Sequence, residues 1–142
     1  MLGIIMSMVA GVSMSLQGVF NTRLGEKIGI WETNLLVQFI GAILTFIVFF
    51  FFGKGNMKNL KDTNKLYLMG GVLGVIIIYT VMTGIRSLGA TCSIGIILVA
   101  QLTAAALIDA FGLFDTTRIS FGFTKIVGIV IMVVGIIIFK WK

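Results

Sequence analysis

Long apolar runs alternate with short polar breaks along the whole chain. Residues 2–20 form the first run, and the break after it holds Asn21, Arg23, Glu26 and Lys27. Residues 31–52 form the second, ending in four consecutive phenylalanines before a polar segment with Lys54, Lys58, Lys61, Asp62 and Lys65. Residues 66–85 form the third, and Arg86 separates it from a fourth over 88–111. Asp115, Thr116, Thr117 and Arg118 make the next break, and the fifth run covers 123–139 before Lys140, Trp141 and Lys142. Each run approaches the ~20 residues a helix needs to cross hydrocarbon. The runs are continuous, without the alternation of a lipid-facing β-strand, which argues against a β-barrel. The pattern predicts an all-α integral membrane protein, residues 1–142 forming one domain of five transmembrane helices with short connections and antiparallel neighbours. The first run has no positive side chain before it and no A-x-A-like end, so it reads as a retained span and not a signal peptide.

Composition sharpens this picture. Of the 142 residues, 58% are hydrophobic and 11% charged, against roughly 25% charged in a soluble domain. A chain this short has too much surface per volume to hide that hydrocarbon from water. One cysteine and no histidine remove disulfide frameworks, zinc sites and histidine acid–base chemistry. No nucleophile–base pair or paired-carboxylate constellation can be assembled, so no enzyme, cofactor or metal site is expected. The net charge of +6 is dispersed in small groups between apolar runs, which suits headgroup anchoring and not nucleic acid. Trp31 and Trp141 fit the interfacial aromatic belt. Cys92 and the eight methionines read as packing residues.

Lysine and arginine in short loops orient membrane proteins. Lys54, Lys58, Lys61, Lys65, Arg118 and Lys125 fall on one side; Arg23, Lys27, Arg86, Lys140 and Lys142 fall on the other. Six against five is almost no bias. Copies inserted both ways could pair into a ten-helix inverted repeat, the arrangement that permits alternating access. A single topology held by the four-lysine loop is the other reading.

Proline is absent, so kinks must come from glycine or polar insertions. Ser7, Gly11 and Ser15, and again Gly70 and Gly74, recur every four residues, a spacing that predicts close helix contact. Polar side chains within the runs are few, and these are the candidates for function. Gln17 and Asn21 share a face of the first helix, Asn34 and Gln38 a face of the second. Tyr79, Thr80 and Thr83 mark the third. Gln101 lies near the middle of the fourth, with Asp109 eight residues on, ~12 Å along and about 80° around the helix. Gln17, Asn21, Gln38, Tyr79 and Gln101 are the candidate substrate-binding groups, because amides and a phenol offer donors and acceptors without charge. They serve equally well as interhelical hydrogen bonds. Asp109 is either a proton-coupling carboxylate with a pKa raised by burial or the partner of Arg86 or Arg118 in a structural ion pair; its place near the end of its run favours the pair.

Several of these residues fall into a familiar order. Gln17-x3-Asn21-x2-Leu24-Gly25, Phe39-Ile40-Gly41, Gly70-Gly71-x2-Gly74, Arg86-x-Leu88-Gly89-Ala90, Gln101 and Ile108-Asp109-x-Phe111-Gly112 follow one another at one piece per span or turn. The set resembles the YdcZ-like, EamA-like bacterial inner-membrane proteins of the drug/metabolite transporter superfamily, over nearly the whole chain. The resemblance implies five helices and an exporter or permease. The superfamily's ten-helix members are built from two five-helix halves, so a half-sized chain implies a homodimer, antiparallel or not, or a paired homologous subunit. Two departures matter. Ala110 stands where the family often has histidine after the aspartate, which removes a His–Asp proton relay. The first span has no glutamate of the kind that small multidrug-resistance relatives carry; Met14 and Gln17 occupy its middle and second half, which argues against cation–proton antiport of that kind.

The functional expectation is a small-solute or metabolite transporter in the bacterial inner membrane, acting as a dimer by alternating access on a neutral, zwitterionic or amphipathic solute. The competing class is a membrane protein that transports nothing, either an accessory subunit or a holin-like pore former.

Overall fold

The computed structural model describes residues 1–120 and 122–141; Lys142, counted in the charge comparison above, lies outside them. Five long helices follow one another: α1 (Leu2–Ile28), α2 (Ile30–Phe52), α3 (Gly70–Leu88), α4 (Ala90–Phe111) and α5 (Phe123–Lys140). All five candidate spans are long and apolar enough to cross a membrane. The described residues contain no strand. The chain divides into two compact units, Met1–Arg86 and Ser87–Lys142.

The first helix runs on beyond the expected span. Asn21, Arg23, Glu26 and Lys27 end the apolar run but not the helix, which continues to Ile28. Polarity limits how much of a helix can lie in hydrocarbon; it does not unwind the backbone. At 1.5 Å per residue α1 is about 40 Å long, enough to carry its last turns into the headgroup layer. There Arg23 pairs with Glu26 at 3.1 Å, one turn on. What stops α1 is Gly29, with φ 103° and ψ 153°, a region essentially closed to residues with a Cβ. A single residue separates α1 from α2. Gly89 (φ 80°, ψ 160°) separates α3 from α4 in the same way, so Arg86 is not the break either.

In the first unit, α1 and α2 form a hairpin about Gly29, and α3 packs on both through side chains. Ile78, Met82 and Ile85 are its buried apolar residues, spaced four and three apart on one face of α3. Asn21, Thr22, Thr33 and Asn34 are buried with them. Polar groups outnumber apolar ones in this interior because lipid outside is as apolar as any core, so contact area and hydrogen bonds decide what goes inside. The α1 contact stripe is Gly18, Asn21, Thr22 and Gly25. The predicted stripe is displaced from it. A Cβ on Gly11 would meet nothing within 4 Å, and Ser7 and Ser15 spend their hydroxyls on their own helix, on the carbonyls of Gly3 and Gly11. On α3, Gly74 does lie against Gln38, whereas Gly70 is open.

In the second unit α4 packs along α5, where Gly95 admits Ile136 to 3.1 Å of the position a Cβ would take. Ser93 is its buried polar residue. The chain then folds back over the end of α4. Gly112 adopts the left-handed conformation that caps the helix, and the Ile119 N–H donates to the Asp109 carbonyl at 2.9 Å.

Candidate functional site

The densest polar arrangement within a span is the seam between α2 and α3. Trp31, Asn34 and Gln38 sit three and four residues apart, on one face of α2. Each meets α3. The Trp31 ring stacks on Tyr79 with centroids 4.8 Å apart, the Asn34 Nδ2 donates to the Val75 carbonyl at 2.9 Å, and the Gln38 Nε2 lies against Gly74. Advancing along α2 retreats along α3, so the two helices are antiparallel here.

Asn34 is the most constrained of these groups. It is 2% exposed, and its Oδ1 is buried without a hydrogen-bond partner among the described residues. An unmatched buried acceptor costs about 1–3 kcal/mol, and hydrocarbon supplies no water to relieve it. Beyond Gln38 the same face of α2 continues through Gly41, Ala42, Thr45 and Phe49. It lines an open groove of about 700 Å³ whose far end is Met57. That volume is within the range of small-molecule sites.

The structure brings two of the expected binding residues, Gln38 and Tyr79, into this seam. Asn21 is buried on α1 within the same unit. Gln17 is exposed on α1, although the next residue, Gly18, is buried. In the second unit Gln101 is exposed on α4. A separate apolar cavity of about 540 Å³ lies between α4 and α5, lined by the half-buried Cys92, Gly95, Val99, Met132, Ile136 and Phe139 among others.

Asp109 is half-buried in the last turn of α4. Arg118 does not pair with its carboxylate. The guanidinium Nε donates instead to the Ala110 carbonyl at 3.2 Å, placing the positive charge at the negative end of the α4 dipole. Arg86 is exposed in the last turn of α3, where its charge likewise complements the helix end. Among the described residues, no cluster of three or more acidic, cysteine or histidine side chains could hold a metal.

Asn34 and Trp31 were legible only in part. Asn34 stands one turn from Gln38 in the sequence, but its burial depends on Val75, 41 residues away. Trp31 reads as an interfacial anchor, and nothing local indicates that its face is taken by Tyr79.

No curated protein and no solved structure gives a significant match to the chain. Residues 2–138 match the family described as "Putative inner membrane exporter, YdcZ". The match runs through all five apolar helices, and the chain belongs to this YdcZ family as a multi-pass membrane protein.

Proposed function

We propose that the protein exports a small neutral, zwitterionic or amphipathic solute by alternating access, working as a dimer whose two five-helix chains form a ten-helix inverted repeat. Family membership over residues 2–138 carries the transport reading. The uncharged polar seam at Asn34, Gln38 and Tyr79 supports the choice of solute. It offers amide and phenol groups with stacked rings and no fixed charge, which suits a molecule that must leave again.

A second chain would cover what each unit leaves open. Ile78, Met82 and Ile85 are the buried apolar residues among those described, and none belongs to α4 or α5. Gln17, Gln101 and the Gly11 stripe lie on open helix faces. Lipid accepts apolar side chains but gains nothing from amides, so these faces suit a protein partner. An antiparallel copy supplies one, and a homologous subunit of opposite orientation would do the same.

In this reading Gln17 and Asn21 extend the solute path of the first unit, Gln101 is a solute contact of the second, and Arg86 stabilises the C-terminal end of α3. Proteoliposomes carrying the purified chain test it directly. Saturable counterflow of a solute without leakage of an entrapped dye is the expected result. Nonselective dye release would replace the exporter with a pore.

A further inference from the structure

We propose that Asn34 is the polar anchor of a solute subsite at the inner end of the α2 groove, taking a flat, uncharged molecule that carries an N–H or O–H donor. The assignment deepens the exporter reading and rests on it for the idea that a solute enters at all.

Three observations converge on it. The Asn34 amide is oriented by its Nδ2, which donates to the Val75 carbonyl at 2.9 Å. That bond leaves Oδ1 as the group with nothing to accept from among the described residues. A buried carboxamide oxygen held in this state selects a donor, because a ligand lacking one leaves the acceptor as costly as before. One turn further along the same face, Gln38 lines the head of the 700 Å³ groove. Its half-buried side chain lies against Gly74, where α3 has no Cβ. A solute in the groove that displaces the Gln38 amide therefore meets Asn34 next. One turn the other way, the Trp31–Tyr79 stack closes the seam. The groove beyond Gln38 is lined by Gly41, Ala42, Thr45, Phe46, Phe49 and Met57. The Phe46 and Phe49 rings favour a flat apolar body, and the absence of a charged lining residue disfavours an ion.

Trp31 and Trp141 are the two tryptophans of the chain, so a Trp141→Phe background leaves Trp31 emission as a reporter inside the seam. The probes are benzamide, which has two N–H donors, and N,N-dimethylbenzamide, which has none. Titrated into the full-length protein in nanodiscs, benzamide should bind about tenfold or more tightly than its dimethyl analogue, the discrimination expected when one buried acceptor is left unmatched. Asn34→Leu should bring the ratio close to one. Gly41→Leu places a side chain in the groove at a position with nothing within 4 Å. It leaves the Asn34–Val75 bond alone, and it should abolish binding of both probes while the emission of the free protein stays unchanged. If Asn34→Leu does not fold, the ratio in the parent and the Gly41→Leu result decide the matter. Equal affinities for the two probes, failure of both to bind at millimolar concentration, or indifference to Gly41→Leu each overturn the subsite. Because binding is read without transport, discrimination that persists in a protein unable to carry out counterflow would sink the exporter reading alone. Counterflow without discrimination would sink the subsite alone.

Discussion

Gly29 and Gly89 each turn the chain from one helix into the next within a single residue. Their φ values of 103° and 80°, with ψ near 155°, put the carbonyl where a Cβ would collide with it. At Gly29 an added Cβ would also run into the Glu32 carboxylate, whereas at Gly89 the surrounding space is open. Each break is followed four residues later by a buried hydroxyl residue, Thr33 or Ser93, whose N–H donates to the glycine carbonyl at 3.1 Å. Replacing either glycine with alanine should destabilise the protein by about 1–3 kcal/mol, and the two should cost alike, because the Glu32 carboxylate in the way at Gly29 is the end of an exposed, flexible side chain that swings aside. Gly11→Ala, in an open helical position, should cost nothing measurable. Reversible unfolding in mixed micelles, following helix content against denaturing detergent, checks the ordering. The sequence signals a break near each place through its charges, but it marks the wrong residue. Charge reports where the membrane ends, while the left-handed backbone reports where the helix ends, and only glycine shows the second.

At the level of helices, the number and order of elements were readable because each span is defined by hydrophobicity alone. Which face of a helix packs was not. The Ser7-Gly11-Ser15 and Gly18-x3-Thr22 spacings are equivalent as strings, yet Gly18 lies against Val81 and Ile85 while Gly11 faces open space. That choice depends on α3, more than sixty residues later. Gly18→Leu should therefore cost about 1–3 kcal/mol by overpacking against the β-branched Val81 and Ile85, and Gly11→Leu should leave the isolated chain unaffected. If Gly11→Leu instead abolishes dimerisation in cross-linking experiments, the uncovered stripe of α1 is a subunit contact. The exposed amide on α4 lends itself to the same comparison. Gln101→Leu keeps the helix apolar while removing every hydrogen bond of the side chain. As a solute contact its loss lowers counterflow even when the dimer is fused. As an interhelical bond it weakens association by only ~0.6 kcal/mol, and fusion restores counterflow. Full counterflow in the unfused leucine variant would take Gln101 out of both roles.

For the molecule as a whole, the question is how a chain of five spans sits in the membrane, and the answer turns on a loop. The segment between α2 and α3 carries Lys54, Lys58, Lys61 and Lys65. It is organised into two 3₁₀ turns, Met57–Asp62 and Lys65–Met69, each opened by an asparagine whose Oδ1 accepts a main-chain N–H at 3.0 Å. The four lysines fall within this one loop, the strongest local orientation signal in the chain. With Arg118 and Lys125 its side counts six positive residues, against Arg23, Lys27, Arg86, Lys140 and Lys142 on the other if the five spans alternate. On the proposed dual insertion, six positive residues against five would leave little orientation bias, and one gene product would then supply both halves of an inverted pair. Cys92 is the single cysteine, so a Cys92→Ala, Asn59→Cys chain reports on this loop alone. An impermeant thiol reagent should label part of the population in intact cells and the rest only after lysis. Adding two lysines to the loop should shift that labelling toward full protection and, by removing one orientation, should also reduce cross-linked dimer and counterflow. Labelling confined to one side in the unmodified chain would end dual insertion, and an antiparallel assembly would then require a homologous partner of opposite orientation.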